Sequence, residues 1–182
     1  MPSLEPLVGK TKPELIELAQ SLGEKPLRGR QLSQWIYQKA AGSIEQMSDL
    51  PAALRARLAQ SHRIDALELA RHAKSTDGVD KLLVHGGDGQ VFECVRLPYP
   101  DRVSCCLSTQ VGCPMGCTFC ATGLGGFDRN LGVGEIVGQY LMLQRLEQRR
   151  IDHVVFMGMG EPLLNLPNLL KAIGILHDEI GL

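Results

Sequence analysis

Three cysteines, Cys113, Cys117 and Cys120, fall within the eight residues CPMGCTFC. Thiolates packed that closely on one segment are metal ligands before they are anything else. A structural zinc site takes four ligands, usually as two separated pairs. Here the spacing is C-x3-C-x2-C in a single loop, and no cysteine follows Cys120. Iron–sulfur clusters are held by closely spaced thiolates, usually four of them. Three would leave one iron of a cubane cluster with an open coordination position, and an open position on a metal is where a cofactor or substrate binds and reacts. Gly112, Gly116 and Gly123 suit a loop that must wrap closely around a bulky inorganic group. As core filling, three thiols in a glycine-rich loop pack poorly.

Other residues are ambiguous taken singly. Met157-Gly158-Met159-Gly160-Glu161-Pro162 is a glycine-rich turn after an apolar stretch. By itself it is an ordinary turn, although such turns at strand ends receive ligands in α/β folds. Glu93 alone is an exposed strand glutamate, and Cys106 is as much a core thiol as a reactive one. Cys105 and Cys106 must point to opposite faces of an alternating strand, so only one of them can reach a site.

The elements that position these residues follow from periodicity and turn chemistry. Thr11-Lys12-Pro13-Glu14 has capping-box spacing, with Leu15, Ile16, Leu18 and Ala19 behind it and Gly23 as a stop. A second helix is expected from about Arg28 to Lys39, and a third from Ser48 through Leu54 and Leu58. Lys81–His85 and Val91–Val95 form a predicted hairpin turning at Asp88-Gly89. Val103–Val111 is predicted as one strand leading into the cysteine loop. Then come a helix over Gly134–Glu147, a strand over Ile151–Met157 and a helix over Asn165–His177 capped by Asn165. That rhythm is parallel α/β construction. The expected organisation is a helical accessory domain over residues 1–75, a β-hairpin linker over 76–102, and the first βα units of an α/β core over 103–182.

Bulk properties exclude more than they assign. The 182 residues are 44% hydrophobic and 21% charged, within the globular range. The net charge of −1 argues for no polyanion overall, but residues 1–75 carry eleven Lys/Arg against eight Asp/Glu and the remainder eight against twelve. A nucleic-acid surface, if there is one, belongs with Arg28, Arg30, Lys39, Arg55, Arg57 and Arg63; a helical cap with a wet face is the alternative. No stretch approaches the ~20 apolar residues of a membrane span, and MPSLEPLVGK is no signal peptide. A cytoplasmic protein is expected, where six cysteines mean metal or redox chemistry more than disulfides.

C-x3-C-x2-C with Phe119 before the last cysteine resembles the signature of radical S-adenosylmethionine enzymes. The runs CLSTQVGCPMGCTFCATGLGGFDRNL and VVFMGMGEPLLN, with LRGRQLSQWIYQK and MSDLP near the N-terminus, resemble the RlmN/Cfr group of RNA methyltransferases. The resemblance implies a partial (β/α) barrel after the helical domain. It implies a 4Fe-4S cluster on Cys113, Cys117 and Cys120, and S-adenosylmethionine held in part by Gly160 and Glu161. Glu93 matches a glutamate that exchanges a proton with the base. Cys106 matches a cysteine that helps resolve a covalent protein–RNA intermediate. The implied activity is methylation of adenine carbon 2 in 23S rRNA and tRNA, with carbon 8 as the Cfr-like alternative. A non-catalytic RNA-binding or iron–sulfur remnant is the alternative outside that class. The implied partners are 23S rRNA, tRNA and an electron donor such as flavodoxin or ferredoxin, acting on a monomer.

The group's methyl-carrying cysteine and later barrel strands find no counterpart here. The expectation is therefore an N-terminal fragment that does not complete methyl transfer alone.

Overall fold

The computed structural model describes residues 4–64, 67–146 and 149–182. A two-residue strand, β1 (Glu5–Pro6), leads to α1 (Lys12–Ser21). The capping box is present: the Thr11 hydroxyl accepts from Glu14 N at 3.4 Å, and the Glu14 carboxylate accepts from Thr11 N at 2.7 Å. α2 (Pro26–Ser33) begins two residues ahead of the expected Arg28 because Pro26 suits the first helical position, and it runs on into a wide π-type turn over Gln34–Gln38. α3 (Ala52–Ser61) starts later than the expected Ser48. Pro51 bars Leu50 from helical backbone, so a helix cannot run through that point and starts only beyond it.

The helical reading of residues 1–75 holds only as far as Ser61. β2 (His62–Arg63) pairs in parallel with β1, and β3 (Glu68–Lys74) is a strand. All seven β3 residues are exposed, so no hydrophobic alternation betrays it. β4 (Asp80–His85) and β5 (Val91–Pro98) form the expected hairpin, closed by Gly86 N donating to Gln90 O at 2.8 Å. The predicted strand Val103–Val111 is two strands: β6 (Val103–Cys106) and β7 (Gln110–Gly112), the latter pairing with β8 (Phe127–Asn130) in a separate ribbon. Between them Ser108 gives its backbone to a side chain instead of a ladder. Its N–H donates to Gln139 Oε1 at 2.8 Å and its carbonyl accepts from Gln139 Nε2 at 3.0 Å.

α4 (Val133–Arg145) carries Gln139 on its buried side; the expected end at Glu147 lies outside the described residues. β9 (His153–Val155) is shorter than the expected Ile151–Met157, since the chain then turns so that Gly158 N meets Leu107 O at 3.1 Å. α5 (Leu166–Ile175) follows, with a wide turn over Leu176–Ile180. Asn165 occupies the N-cap position but makes no capping bond. Its amide instead donates to Thr109 O and Leu131 O, both at 2.8 Å.

The main sheet has the order β3-β4-β5-β6-β9, antiparallel except for the parallel β6–β9 pair. One face is buried. Leu82, Phe92, Cys94 and Cys105 share a single core with Ile136 and Tyr140 of α4 and with Leu15, Ile36 and Leu54 of the helical region. Each large apolar side chain so buried contributes about 1.5–3 kcal/mol. At the end of that face Asp80, 2% exposed, accepts from Arg96 Nε and pairs with His72 Nε2, both at 2.7 Å. Burial alone would raise the Asp80 carboxyl; its His72 and Arg96 hydrogen bonds hold it below the ordinary range. The opposite face, carrying Lys81, Glu93, Val95 and Cys106, is exposed or half-buried. Among the described residues no helix is long and apolar enough to cross a membrane.

Candidate active site

β6 and β9 run side by side, so the segments leaving their C-terminal ends emerge together. One is Leu107–Gln110 and the cysteine loop; the other is Met157–Pro162. They are stitched by hydrogen bonds. Ser108 Oγ accepts from Met159 N at 2.8 Å and donates to Glu93 O at 2.6 Å, which ties the two turns to β5. Gln110 Oε1 accepts from Glu161 N, and its Nε2 donates to Asn130 Oδ1, each at 2.8 Å. Gly160, at φ +99°, lies so close to Gln110 that a Cβ there would stand 2.5 Å from Gln110 Cβ. A side chain at residue 160 would push the two segments apart.

The cysteine loop is closed at its base. Gly112 has φ +73°, an added Cβ would lie 2.1 Å from Gly126 O, and Cys113 N donates to that same carbonyl at 2.8 Å. Beyond this neck the thiols are free. Cys113 is half-buried, while Cys117 and Cys120 are exposed. Hydrogen bonds from Thr122 and Gly123 hold the Cys120 thiol below its ordinary range. Among the described residues no three His, Cys, Asp or Glu side chains converge tightly enough to hold a metal ion. The donors thus fit an iron–sulfur group in kind and in placement on one loop, and they are not gathered into a finished pocket.

Glu93 and Cys106 share the open face of the sheet. Val95 is the cross-strand partner of Cys106, and Glu93 lies two residues along from Val95. Cys105 points into the core and is 0% exposed. Burial pushes the Cys106 thiol up, partly opposed by a hydrogen bond with the Met157 backbone. Glu93 is paired with Lys81, Nζ to Oε2 at 2.8 Å. The Glu161 carboxylate accepts from Leu163 N through Oε1 at 3.0 Å, which caps the following turn and leaves Oε2 unpartnered among the described residues.

The structure therefore brings Gly160 and Glu161 against the root of the cysteine loop, and Glu93 and Cys106 onto one neighbouring face. Of the positioning residues, Asn165 was expected only as a helix cap, and Ser108, Gln110 and Gln139 were not expected at all. The only signal for Ser108 and Gln110 was the polar run Ser108-Thr109-Gln110, where an apolar strand should have continued.

Residues 6–64 match the family model described as Ribosomal RNA large subunit methyltransferase N-terminal domain. Over 176 residues the chain is 45% identical to the dual-specificity RNA methyltransferase RlmN of Halorhodospira halophila, covering 96% of this chain and 49% of that protein. It is 47% identical over 171 residues to a probable RlmN of Rhodopirellula baltica, covering 93% of this chain and 46% of that one. This chain is a relative of the RlmN methyltransferases. It spans about half the length of the curated relatives it matches. A crystal structure of a radical SAM methyltransferase from Sphaerobacter thermophilus superposes with a TM-score of 0.91 at 39% identity, over 97% of this chain and 53% of that one. The α/β architecture is thus shared with a radical SAM methyltransferase, and the cysteine loop and Met157–Pro162 lie inside the region shared with the RlmN group.

Proposed function

We propose that this chain is the cluster-bearing part of a radical S-adenosylmethionine methyltransferase that modifies carbon 2 of adenine in 23S rRNA and tRNA. The observation that carries the reading is the meeting of Ser108–Gln110, the segment that leads into the CPMGCTFC loop, with Met157–Pro162 at the ends of two parallel strands, in a chain 45% identical to an RlmN protein.

A 4Fe-4S cluster with S-adenosylmethionine, when bound, supplies radical chemistry. The roles of the chain's own residues follow from their placement. Cys113, Cys117 and Cys120 would hold the cluster from a loop whose neck is fixed at Gly112. Gly160 lets the backbone of the second turn lie close, and Glu161 offers a free carboxylate oxygen to a cationic amine. Glu93 moves a proton at the base, with Lys81 holding its carboxylate in place. Cys106, half-buried, would form a disulfide with the sulfur of the methyl-carrying cysteine, breaking that sulfur's bond to the transferred carbon and leaving the electron pair on the base, which requires that the raised pKa of Cys106 be lowered once substrate is present. The N-terminal helices hold RNA. A flavodoxin- or ferredoxin-like protein delivers electrons to a cytoplasmic monomer. These 182 residues are expected to bind a cluster through the cysteine loop.

Anaerobic reconstitution with iron and sulfide, then S-adenosylmethionine and dithionite, tests this reading. The expected result is a cubane-cluster electron paramagnetic resonance signal that S-adenosylmethionine perturbs and Cys117→Ala abolishes. A folded wild-type chain that takes up no iron overturns it. Formation of 5′-deoxyadenosine in the same sample measures how much of the cofactor site these residues supply.

A further inference from the structure

We propose that Arg71 and Lys81 form a seat for a backbone phosphate of the RNA strand, on the sheet face that carries Glu93 and Cys106. The proposal rests on the RNA-methyltransferase reading above and extends it to Arg71, which that reading does not use, and to a second role for Lys81.

The register makes the case. Arg71, Leu83 and Glu93 lie in one cross-strand row of β3, β4 and β5. The next row runs Ala73, Lys81, Val95, Cys106 and Val155 across all five strands. Residues directly opposite in a ladder point to the same side, so Arg71, Lys81, Glu93 and Cys106 share one face. Lys81 sits two strands from Cys106, about 10 Å at the usual strand spacing. A base held over Cys106 therefore brings its own strand's backbone to the β3–β4 side.

A hollow of about 300 Å³ opens there, lined by Arg71, Ala73, Lys81, Leu83 and Glu93. Its charge is two cations against one carboxylate, and the carboxylate is already engaged by Lys81. Arg71 is exposed and has no hydrogen-bond or ion-pair partner among the described residues. A guanidinium fork left free beside an ammonium is suited to a phosphate oxygen pair. Cations on an edge strand often serve only to prevent edge-to-edge pairing. That explanation does not reach Lys81, which is on the interior strand β4. A phosphate in the seat also competes with Glu93 for Lys81, so RNA arrival would loosen the ion pair that holds the proton-handling carboxylate.

The test is the affinity of the full 182-residue chain for a fluorescent RNA hairpin between about 50 and 200 mM salt, where each phosphate contact adds a fixed slope. Arg71→Gln and Lys81→Gln are each expected to flatten log K against log salt by about 0.7–0.9. The loss should be the same on a hairpin whose loop is all uridine, since phosphate contacts read no bases. Arg71→Lys, which keeps the charge, should retain most of the slope and guards against a folding artefact. Lys74→Gln, on the same strand but in the row of Asp80, should leave the slope unchanged. An unaltered slope in Arg71→Gln, or an equal loss in Lys74→Gln, overturns the seat while leaving the methyltransferase reading intact. A folded wild-type chain with no affinity for RNA overturns the seat and the RNA reading together, while the cluster experiment still stands.

Discussion

Cys94 and Cys105 sit in the β5–β6 ladder with 1% and 0% of their surface exposed, whereas Cys117 and Cys120 stand in a loop open to water. Burial pushes the Cys94 thiol up to about 12 and Cys105 well above the ordinary range, so both stay protonated and inert at neutral pH. The loop thiols have no such shield. Cys106 lies between the two, half-buried on the open face of the same strand as Cys105. Residue type alone therefore does not assign reactivity. The sheet uses its cysteines as small hydrophobes, whereas the loop leaves Cys117 and Cys120 open to water above a root held by the polar contacts of Ser108 and Gln110.

The sharpest way to break that contrast is to ask each region for stability. Asp80→Ala removes the buried carboxylate that Arg96 and His72 share and should cost about 3–5 kcal/mol in urea denaturation. Cys117→Ala in the loop should move the same curve by less than about 0.5 kcal/mol. Equal costs would mean the loop is part of the core. Gln139→Leu probes the junction between them. It orphans both backbone groups of Ser108 and should cost about 1–3 kcal/mol for each group left unsatisfied, read by the same titration.

pH sharpens the comparison further. Cys94 ionises near 9.0 when unfolded and near 12 when folded, so the folded state keeps the proton that the unfolded state loses. Its contribution is intact below pH 9 and declines as pH rises towards 12, which a Cys94→Ala variant should flatten in alkaline melting curves. Iodoacetamide at neutral pH should label Cys117 and Cys120 and spare Cys94 and Cys105 until the chain unfolds. The smallest effect concerns Asp88. Hydrogen bonds from Arg129 hold its carboxyl at about 2 against an ordinary 3.8. The stabilisation it gives is present above 3.8 and disappears as pH falls through 2. Arg129→Gln should return the Asp88 carbon-13 titration to the ordinary range. The Asp88 contact itself, being largely exposed, should contribute little to global stability, so any loss in Arg129→Gln reports the second pair of Arg129, with Glu135 at 2.8 Å.

Where local chemistry decided the structure, the sequence was readable. Thr11 and Glu14 announce α1, Asp88-Gly89 announces the hairpin, and the cysteine spacing names the loop. Failures occurred where a distant partner overrode the local pattern. Val103–Val111 looks like one strand until Gln139, some thirty residues on, captures Ser108. Asn165 looks like a cap until Thr109 and Leu131 claim its amide. β3 was invisible because an edge strand exposed on both sides has no apolar period. The candidate site's cysteines and its Gly160-Glu161 turn stood out in the sequence by type and spacing, and its scaffolding did not. Ligands are set by residue type, whereas Ser108, Gln110 and Asn165 act only through contacts that the fold creates.

Glu179 accepts from Lys12 N at 3.2 Å and from Ser33 Oγ at 2.8 Å, while Lys171 reaches Glu14 at 2.6 Å. These contacts join the first helices of the chain to its last turns. On a ribosome, residue 33 is made long before residue 179. At about 5–20 residues per second the α2 hydroxyl waits roughly 7–30 s for its carboxylate. During that interval the helices nearest the N-terminus must either remain loosely docked or borrow a temporary partner. The nascent chain thus passes through a period in which its N-terminal helices are already synthesised and not yet locked in place.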